Sequence, residues 1–140
     1  MLCFSLYAAS RAMTRVYQPL LEPLGLTYPQ YVVLLALWAE DAQPVGQIGS
    51  RLGLESNTLT PLLKRMEAAG LIHRARNKDD ERQVIISLSG KGRLLQSQTS
   101  HIDRCIIEAS GLSLDQAIAL TAEINALAAR LMTPDTATDA

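Results

Sequence analysis

Between Pro44 and Leu88, two short amphipathic stretches, each closed by a glycine, run directly into a pair of β-prone segments, and few folds accept that order. Val45, Ile48 and Leu52 recur at helical spacing before Gly53, and Leu59, Leu62, Leu63 and Met66 do so before Gly70. A glycine just past the last periodic residue adopts left-handed backbone at little cost, so each stretch predicts a short helix and the two together a tight corner. Leu71 to Arg76 and Arg82 to Leu88 are β-prone, and the polar Asn77-Lys78-Asp79-Asp80-Glu81 between them predicts a hairpin with a charged tip. Two short helices with a hairpin behind them make a winged helix-turn-helix over residues 44–88.

The flanks read as longer helices. Leu6, Ala9, Met13, Val16, Tyr17 and Leu20 predict a first helix to about Gln18 or a turn beyond, where Pro19, Pro23 and Gly25 break the pattern. Thr27 and Gln30 are spaced as a capping box, and Tyr31, Leu34, Leu35 and Trp38 form the stripe of a second helix. Asp41 to Pro44 is then a loop. Beyond the hairpin, Ser89 is the expected cap of one long helix through Leu94, Leu95, Ile102, Cys105, Ile106 and Ala109, ending near Gly111. Ser113 and Gln116 repeat the capping box before Ala117, Leu120, Ile124, Leu127 and Leu131, with Pro134 as a stop; residues 133–140 are expected to be a disordered tail.

The expected fold class is thus mainly α with a small β-hairpin: a single domain in which N- and C-terminal dimerisation helices, residues 1–40 and 89–132, flank the winged helix-turn-helix. The terminal helices carry more apolar surface than a monomer hides, which predicts a two-fold homodimer.

With 48% hydrophobic and 19% charged residues, the 140-residue chain is long enough for one domain with a real core. No apolar run approaches the roughly 20 residues that span a bilayer, and no secretory pattern opens the chain, so a cytoplasmic protein without a membrane partner is expected. Cys3 and Cys105 are too few for a disulfide scaffold or a paired-cysteine metal site, and His73 and His101 are too poorly accompanied for one. No metal and no cofactor are expected. A glycine-rich phosphate loop, a paired-carboxylate motif and a nucleophile elbow are all missing from the sequence, so an enzyme is not expected.

The net charge of −1 argues against an obligate nucleic-acid binder, but distribution matters more than the total. From Lys64 to Arg82 six cations face four anions, whereas from Cys105 onward Arg130 alone opposes five acids. In the second short helix the apolar stripe turns Asn57, Thr58, Thr60, Pro61, Lys64 and Arg65 to the other side, beside Ser56 at its start. Short polar groups and amides at a helix N-terminus, with cations further along, suit the major groove of double-stranded DNA. An ordinary solvated helix face fits the same pattern. The hairpin favours DNA, because it places Arg74, Arg76, Lys78 and Arg82 directly behind that helix, where a cation reaches the neighbouring minor groove. Asp80 is spaced to pair with Arg82.

Residues 52–88, with Leu71-Ile72 opening the hairpin, the Asp80-Glu81-Arg82 triplet and the exit Leu88-Ser89-Gly90-Lys91-Gly92, resemble MarR-family transcriptional regulators; the resemblance extends from Leu2 to about Met132. Within the family, Leu2-Cys3-Phe4-Ser5-Leu6-Tyr7, the run from Pro19 to Tyr31, and Thr58-Leu59-Thr60-Pro61-Leu62-Leu63-Lys64-Arg65 are similar to the organic hydroperoxide resistance regulator branch. That resemblance implies a repressor that holds operator DNA as a homodimer while Cys3 is reduced, with organic hydroperoxides as inducers. It also implies that Tyr17 and Tyr28 hydrogen-bond Cys3 across the dimer, that Tyr7 neighbours it one turn along, and that Cys105 is the resolving thiol. Relatives carry a short segment before the leucine-cysteine pair, so either the dimer pins this end or the true start lies upstream.

The chemistry is coherent on its own terms. A thiolate attacks a peroxide oxygen, phenol hydroxyls stabilise that anion, and a second thiol captures the sulfenic acid as a disulfide. Phe4, Trp38 and nearby leucines are expected to give the thiol apolar surroundings. Other readings stand beside it: either cysteine as a small packed hydrophobe, the tyrosines as packing residues, a repressor gated by an apolar small molecule without thiol chemistry, or a winged helix serving only protein contacts.

Overall fold

The computed structural model describes Met1–Thr133; the expected tail beyond Thr133 lies outside the described residues. The chain divides into two compact units, the first ending at Ile102 and the second beginning at Asp103.

In the first unit, α1 (Leu2–Leu21) continues through Pro19, in its last turn, to a 3-10 turn at Glu22–Leu24. Gly25, at φ 69°, supplies the left-handed residue that ends it. The capping box at α2 (Tyr28–Ala39) forms as expected, Gln30 N–H donating to Thr27 Oγ1 at 3.4 Å and Thr27 N–H to Gln30 Oε1 at 3.1 Å. The expected four-residue stripe on α2 needs correction. Leu35 is exposed, whereas Val33, Ala36 and Leu37 are buried with Tyr31 and Leu34, because α2 is packed by α1 and by the elements described next. Each fully buried leucine or valine here contributes about 1.5–3 kcal/mol.

The expected loop before the winged region contains a strand, β1 (Gln43–Pro44). It pairs antiparallel with β3 (Val84–Leu88), Gln43 opposite Ile86, and β3 pairs in turn with β2 (Ile72–Arg76), Ile72 opposite Leu88. The sheet order is β1-β3-β2, so β1 is an edge, a position that tolerates a proline without an N–H. The hairpin tip also runs longer than expected, from Asn77 to Gln83, and leaves Arg82 outside the strand.

Two helices lie between β1 and β2: α3 (Val45–Leu52), closed by Gly53, and α4 (Ser56–Ala68), followed by Gly70. Leu59, Leu62, Leu63 and Met66 of α4 bury against the core with Ile48 of α3. Gly49 lets the two helices meet, since a Cβ there would come within 2.8 Å of the Leu54 carbonyl oxygen.

The single long helix expected after Ser89 is two helices, α5 (Gly90–Gln98) and α6 (Ile102–Ser110). Side-chain hydroxyls cluster at the break. Thr99 Oγ1 donates to the Gln96 carbonyl and Ser100 Oγ to that of Ser97, competing for carbonyls that a continuing helix would use, while Ile102 N–H turns back to Thr99. Ser89 does cap α5, accepting from Gly92 N–H at 3.0 Å.

The second unit comprises the rest of α6, a left-handed Gly111 at φ 70°, and α7 (Leu114–Met132) with the expected Ser113–Gln116 capping box. None of α7 is buried within the chain, and Leu114, Ile118, Leu120, Ile124 and Leu131 are exposed. Among the described residues no single helix is long and apolar enough to cross a membrane.

Candidate nucleic-acid interface and thiol site

The stripe that anchors α4 decides what its outer face offers. Ser56, Asn57, Thr58, Pro61, Lys64 and Arg65 are exposed and Thr60 is half-buried, so the polar N-terminal groups and the later cations share the open side. A concavity of about 680 Å³ runs between the first turn of α3, Ser56 and Thr60 of α4, and Arg74, Arg82 and Gln83 of the wing. Of the residues singled out in the sequence, the concavity brings together Ser56, Thr60, Arg74 and Arg82, whereas Asn57, Thr58, Pro61, Lys64, Arg65, Arg76 and Lys78 do not line it. It adds Gln47 and Gln83, which lie outside the stripes and charge clusters that carry sequence arguments.

The wing's cations differ in how freely they face outward. Glu67 of α4 accepts the Arg74 backbone N–H at 3.0 Å and lies 3.4 Å from Arg74 Nε, so this arginine is held against α4 with its side chain 26% exposed. Arg76 is exposed and its Nη1 donates to the Glu81 carbonyl at 2.8 Å across the hairpin. Asn77 Oδ1 accepts the Asp79 N–H and Asp80 Oδ1 the Arg82 N–H, two side-chain turns that shape the tip. Asp80 also sits 3.3 Å from Arg82 Nε, the pairing expected from the sequence, while the Arg82 side chain stays 93% exposed. Lys78 is exposed at the tip.

The wing's base is fixed by the Ser89-Gly90-Lys91-Gly92 turn. Ser89 Oγ donates to the Gly70 carbonyl at 2.6 Å, Lys91 Nζ to that of Ala69 at 3.1 Å, and Gly92 lies so close to the Leu71 carbonyl that no Cβ fits.

Cys3 occupies the first turn of α1, exposed, as are Phe4 and Tyr7 beside it. Tyr17 lies on the same helix, 14 residues and therefore about 21 Å further along. Its ring packs on Tyr28 at a centroid distance of 4.9 Å and on Tyr31 at 5.5 Å, and Tyr31 meets Trp38 edge-on at 6.0 Å. Burial raises the Tyr28 phenol above its ordinary value of 10.0, so it is a neutral hydrogen-bond donor at any physiological pH. Trp38 sits toward the other end of α2, its Nε1 donating to the Gly92 carbonyl at 2.9 Å. A cleft of about 400 Å³ adjoins Tyr28, lined by Thr14, Gln18, Glu22, Leu26 and Thr27. Cys105, in the second unit, is half-buried on α6, and both cysteines are free thiols.

Within the first unit, then, Tyr17 and Tyr28 come together and Cys3 stands a helix length away. Tyr31 was legible as a core residue, but its place bridging Tyr17 and Trp38 was not.

Known proteins share this architecture. The family model described as transcriptional regulator SarA/Rot matches residues 15–103. The organic hydroperoxide resistance transcriptional regulator of Bacillus subtilis is 52% identical over 106 residues, 76% of this chain and 72% of its own length. The HTH-type transcriptional regulator TtmR of Methylorubrum extorquens is 51% identical over 119 residues, 85% of this chain but 61% of its own. Among solved structures, reduced AbfR bound to DNA shares 40% identity at a TM-score of 0.76, covering 94% of this chain and 91% of that one. The disulfide form of AbfR matches at 0.61, covering 90% and 88%. This chain belongs to the MarR family of winged-helix transcriptional regulators, a family of DNA-binding proteins rather than enzymes, with an organic hydroperoxide resistance regulator among its close relatives.

Proposed function

We propose that this regulator is a homodimeric repressor that binds operator DNA while Cys3 is reduced and releases it when an organic hydroperoxide oxidises that thiol. The observation that carries the reading is the separation along α1 of Cys3 from Tyr17, whose ring packs on Tyr28 of α2. A thiol about 21 Å along α1 from Tyr17 is out of its reach within one chain, and a second copy with its α1 antiparallel would bring the two together. The exposed apolar residues of α1 and α7 are the surfaces such a pairing would cover. In the dimer, Tyr17 and Tyr28 of one protomer hydrogen-bond the Cys3 thiolate of the other, with Tyr7 one turn along.

The thiolate attacks the distal peroxide oxygen: an S–O bond forms, the O–O bond breaks, and the alcohol leaves after taking up a proton. A Cys105 thiol then attacks the sulfenic sulfur, forming a disulfide and releasing water. Loss of the tyrosine contacts shifts the helices that hold the two reading heads about one DNA turn apart. In each head Ser56, Asn57, Thr58, Thr60 and Pro61 approach bases or backbone, and Lys64, Arg65, Arg76, Lys78 and Arg82 meet phosphate or minor groove. The relatives' names and the DNA in the AbfR structures support this reading.

The decisive variant is Cys3→Ser. It is expected to bind operator as the wild type does and to stay bound when cumene hydroperoxide is added. Release at wild-type doses would overturn sensing at Cys3 and favour a ligand-gated repressor, for which the cleft beside Tyr28 is a candidate site. Peroxide should also give a covalent dimer on a non-reducing gel, and its absence would reduce Cys105 to packing.

A further inference from the structure

Asp41 lies just past the C-terminal end of α2, and its carboxylate gathers donors from three directions. Oδ1 accepts the Leu88 N–H at 2.9 Å and the Ala42 N–H at 2.8 Å, and Oδ2 accepts from Arg93 Nη2 at 3.1 Å. Leu88 ends β3, the strand by which the wing returns to the body, and Arg93 follows the first residues of α5. One acid therefore sits where α2, the wing and α5 meet.

The surrounding turn is built to hold it there. Ala42 is left-handed at φ 55°, unique in this among the described non-glycine residues, and L-residues keep that conformation only when their surroundings fix it. Next to it the buried Gln43 side chain donates to the carbonyls of Ala36 and Glu40, tying the turn back to the last turn of α2. Just before the turn, Trp38 Nε1 holds the Gly92 carbonyl. The end of α2 thus grips residues 88, 92 and 93 together.

We infer that Asp41 is a positioning residue, a latch that ties the wing's returning strand and the start of α5 to α2, so that the wing's placement on DNA follows the helix that begins at Tyr28. Its functional consequence rests on the DNA-binding reading above. Its mechanical consequence does not. The charge of Asp41 is committed to Arg93 and to backbone N–H groups, so its loss should act on the wing's position and not on the count of phosphate contacts.

Three full-length variants separate the arms. Asp41→Ala removes every bond, Asp41→Asn keeps an oxygen for the two N–H groups but loses the ionic partner of Arg93, and Arg93→Gln keeps the carboxylate. Amide hydrogen exchange is followed over residues 84–88, and affinity for a labelled duplex of the upstream promoter is measured across salt concentrations. In Asp41→Ala the Leu88 amide should exchange at least about tenfold faster, the equilibrium worth of a hydrogen bond to a charged group. Affinity should fall by about tenfold at every salt concentration with the salt slope unchanged. Asp41→Asn should restore Leu88 protection, and if the alanine variant does not fold, the asparagine and Arg93→Gln variants carry the test, with weakened DNA binding at an unchanged slope expected of both. Wild-type exchange at Leu88 in Asp41→Ala, or faster exchange with unaltered affinity, would overturn the inference; if only Asn and Gln variants fold, unaltered affinity in both overturns it. A wild-type chain that binds no duplex defeats the DNA-binding reading instead, and exchange at Leu88 then decides the latch alone.

Discussion

The two ways in which the wing holds its arginines lead to different salt dependences when each is removed. Arg82 is 93% exposed and tethered to Asp80 through Nε, whereas Arg74 is 26% exposed and closed against Glu67. Each phosphate neutralised by a cation contributes about 0.9 to the slope of log affinity against log salt, so one contact per protomer is about 1.8 in a dimer. Arg82→Gln should lower the slope by that amount. Between roughly 50 and 200 mM salt, the wild type should then lose about 12-fold more affinity than the variant. The paired variant Glu67→Gln, Arg74→Gln removes a closed ion pair of zero net charge. It should weaken binding by loosening β2 from α4 while leaving the slope as it was. Fluorescence anisotropy of a labelled operator duplex over a salt series reads both numbers. Equal slope changes in the two variants would refute the division of the wing into a phosphate contact and a strut, and an unchanged slope in Arg82→Gln would remove the wing tip from the DNA.

Other consequences follow from the backbone and from burial. Gly92→Ala forces a methyl group into the Leu71 carbonyl and should cost about 1–3 kcal/mol in urea unfolding, whereas a change within 0.3 kcal/mol would mean the contact yields freely. Ala42→Gly should be neutral or stabilising by up to about 1 kcal/mol, since glycine holds φ 55° without strain; a clear loss in a thermal melt would contradict this. Tyr28 is raised above 10.0 by burial, so above that pH the unfolded chain loses its phenol proton first and binds fewer protons than the folded chain. Stability should therefore decline as pH rises past 10, less steeply in Tyr28→Phe, and identical alkaline profiles would dissociate Tyr28 from the effect.

Features written in a few neighbouring residues were legible in the sequence: the capping boxes at Thr27 and Ser113, the glycine stops at residues 53 and 70, and the Asp80–Arg82 pair. What escaped depends on partners far along the chain or on weak local competition. β1 is two residues, one a proline, and becomes a strand only because β3 comes to lie beside it. The break before Ile102 falls at the polar Thr99 and Ser100, between apolar positions whose periodicity runs on past it. Arg74 reads as a DNA cation by position, and only the fold brings Glu67 to it. The Asp41 latch joins residues 47 and 52 positions away, beyond any local pattern.

The central claim is that the oxidation state of Cys3 sets operator occupancy. Its most direct measurement titrates the reduced, DNA-bound protein with cumene hydroperoxide while recording anisotropy and intact mass in the same samples. Release should track sulfenic acid or disulfide formation, be complete near one equivalent per protomer, and reverse on adding a thiol reductant. Full oxidation of Cys3 with the duplex still bound, or release with the cysteine mass unchanged, would contradict it.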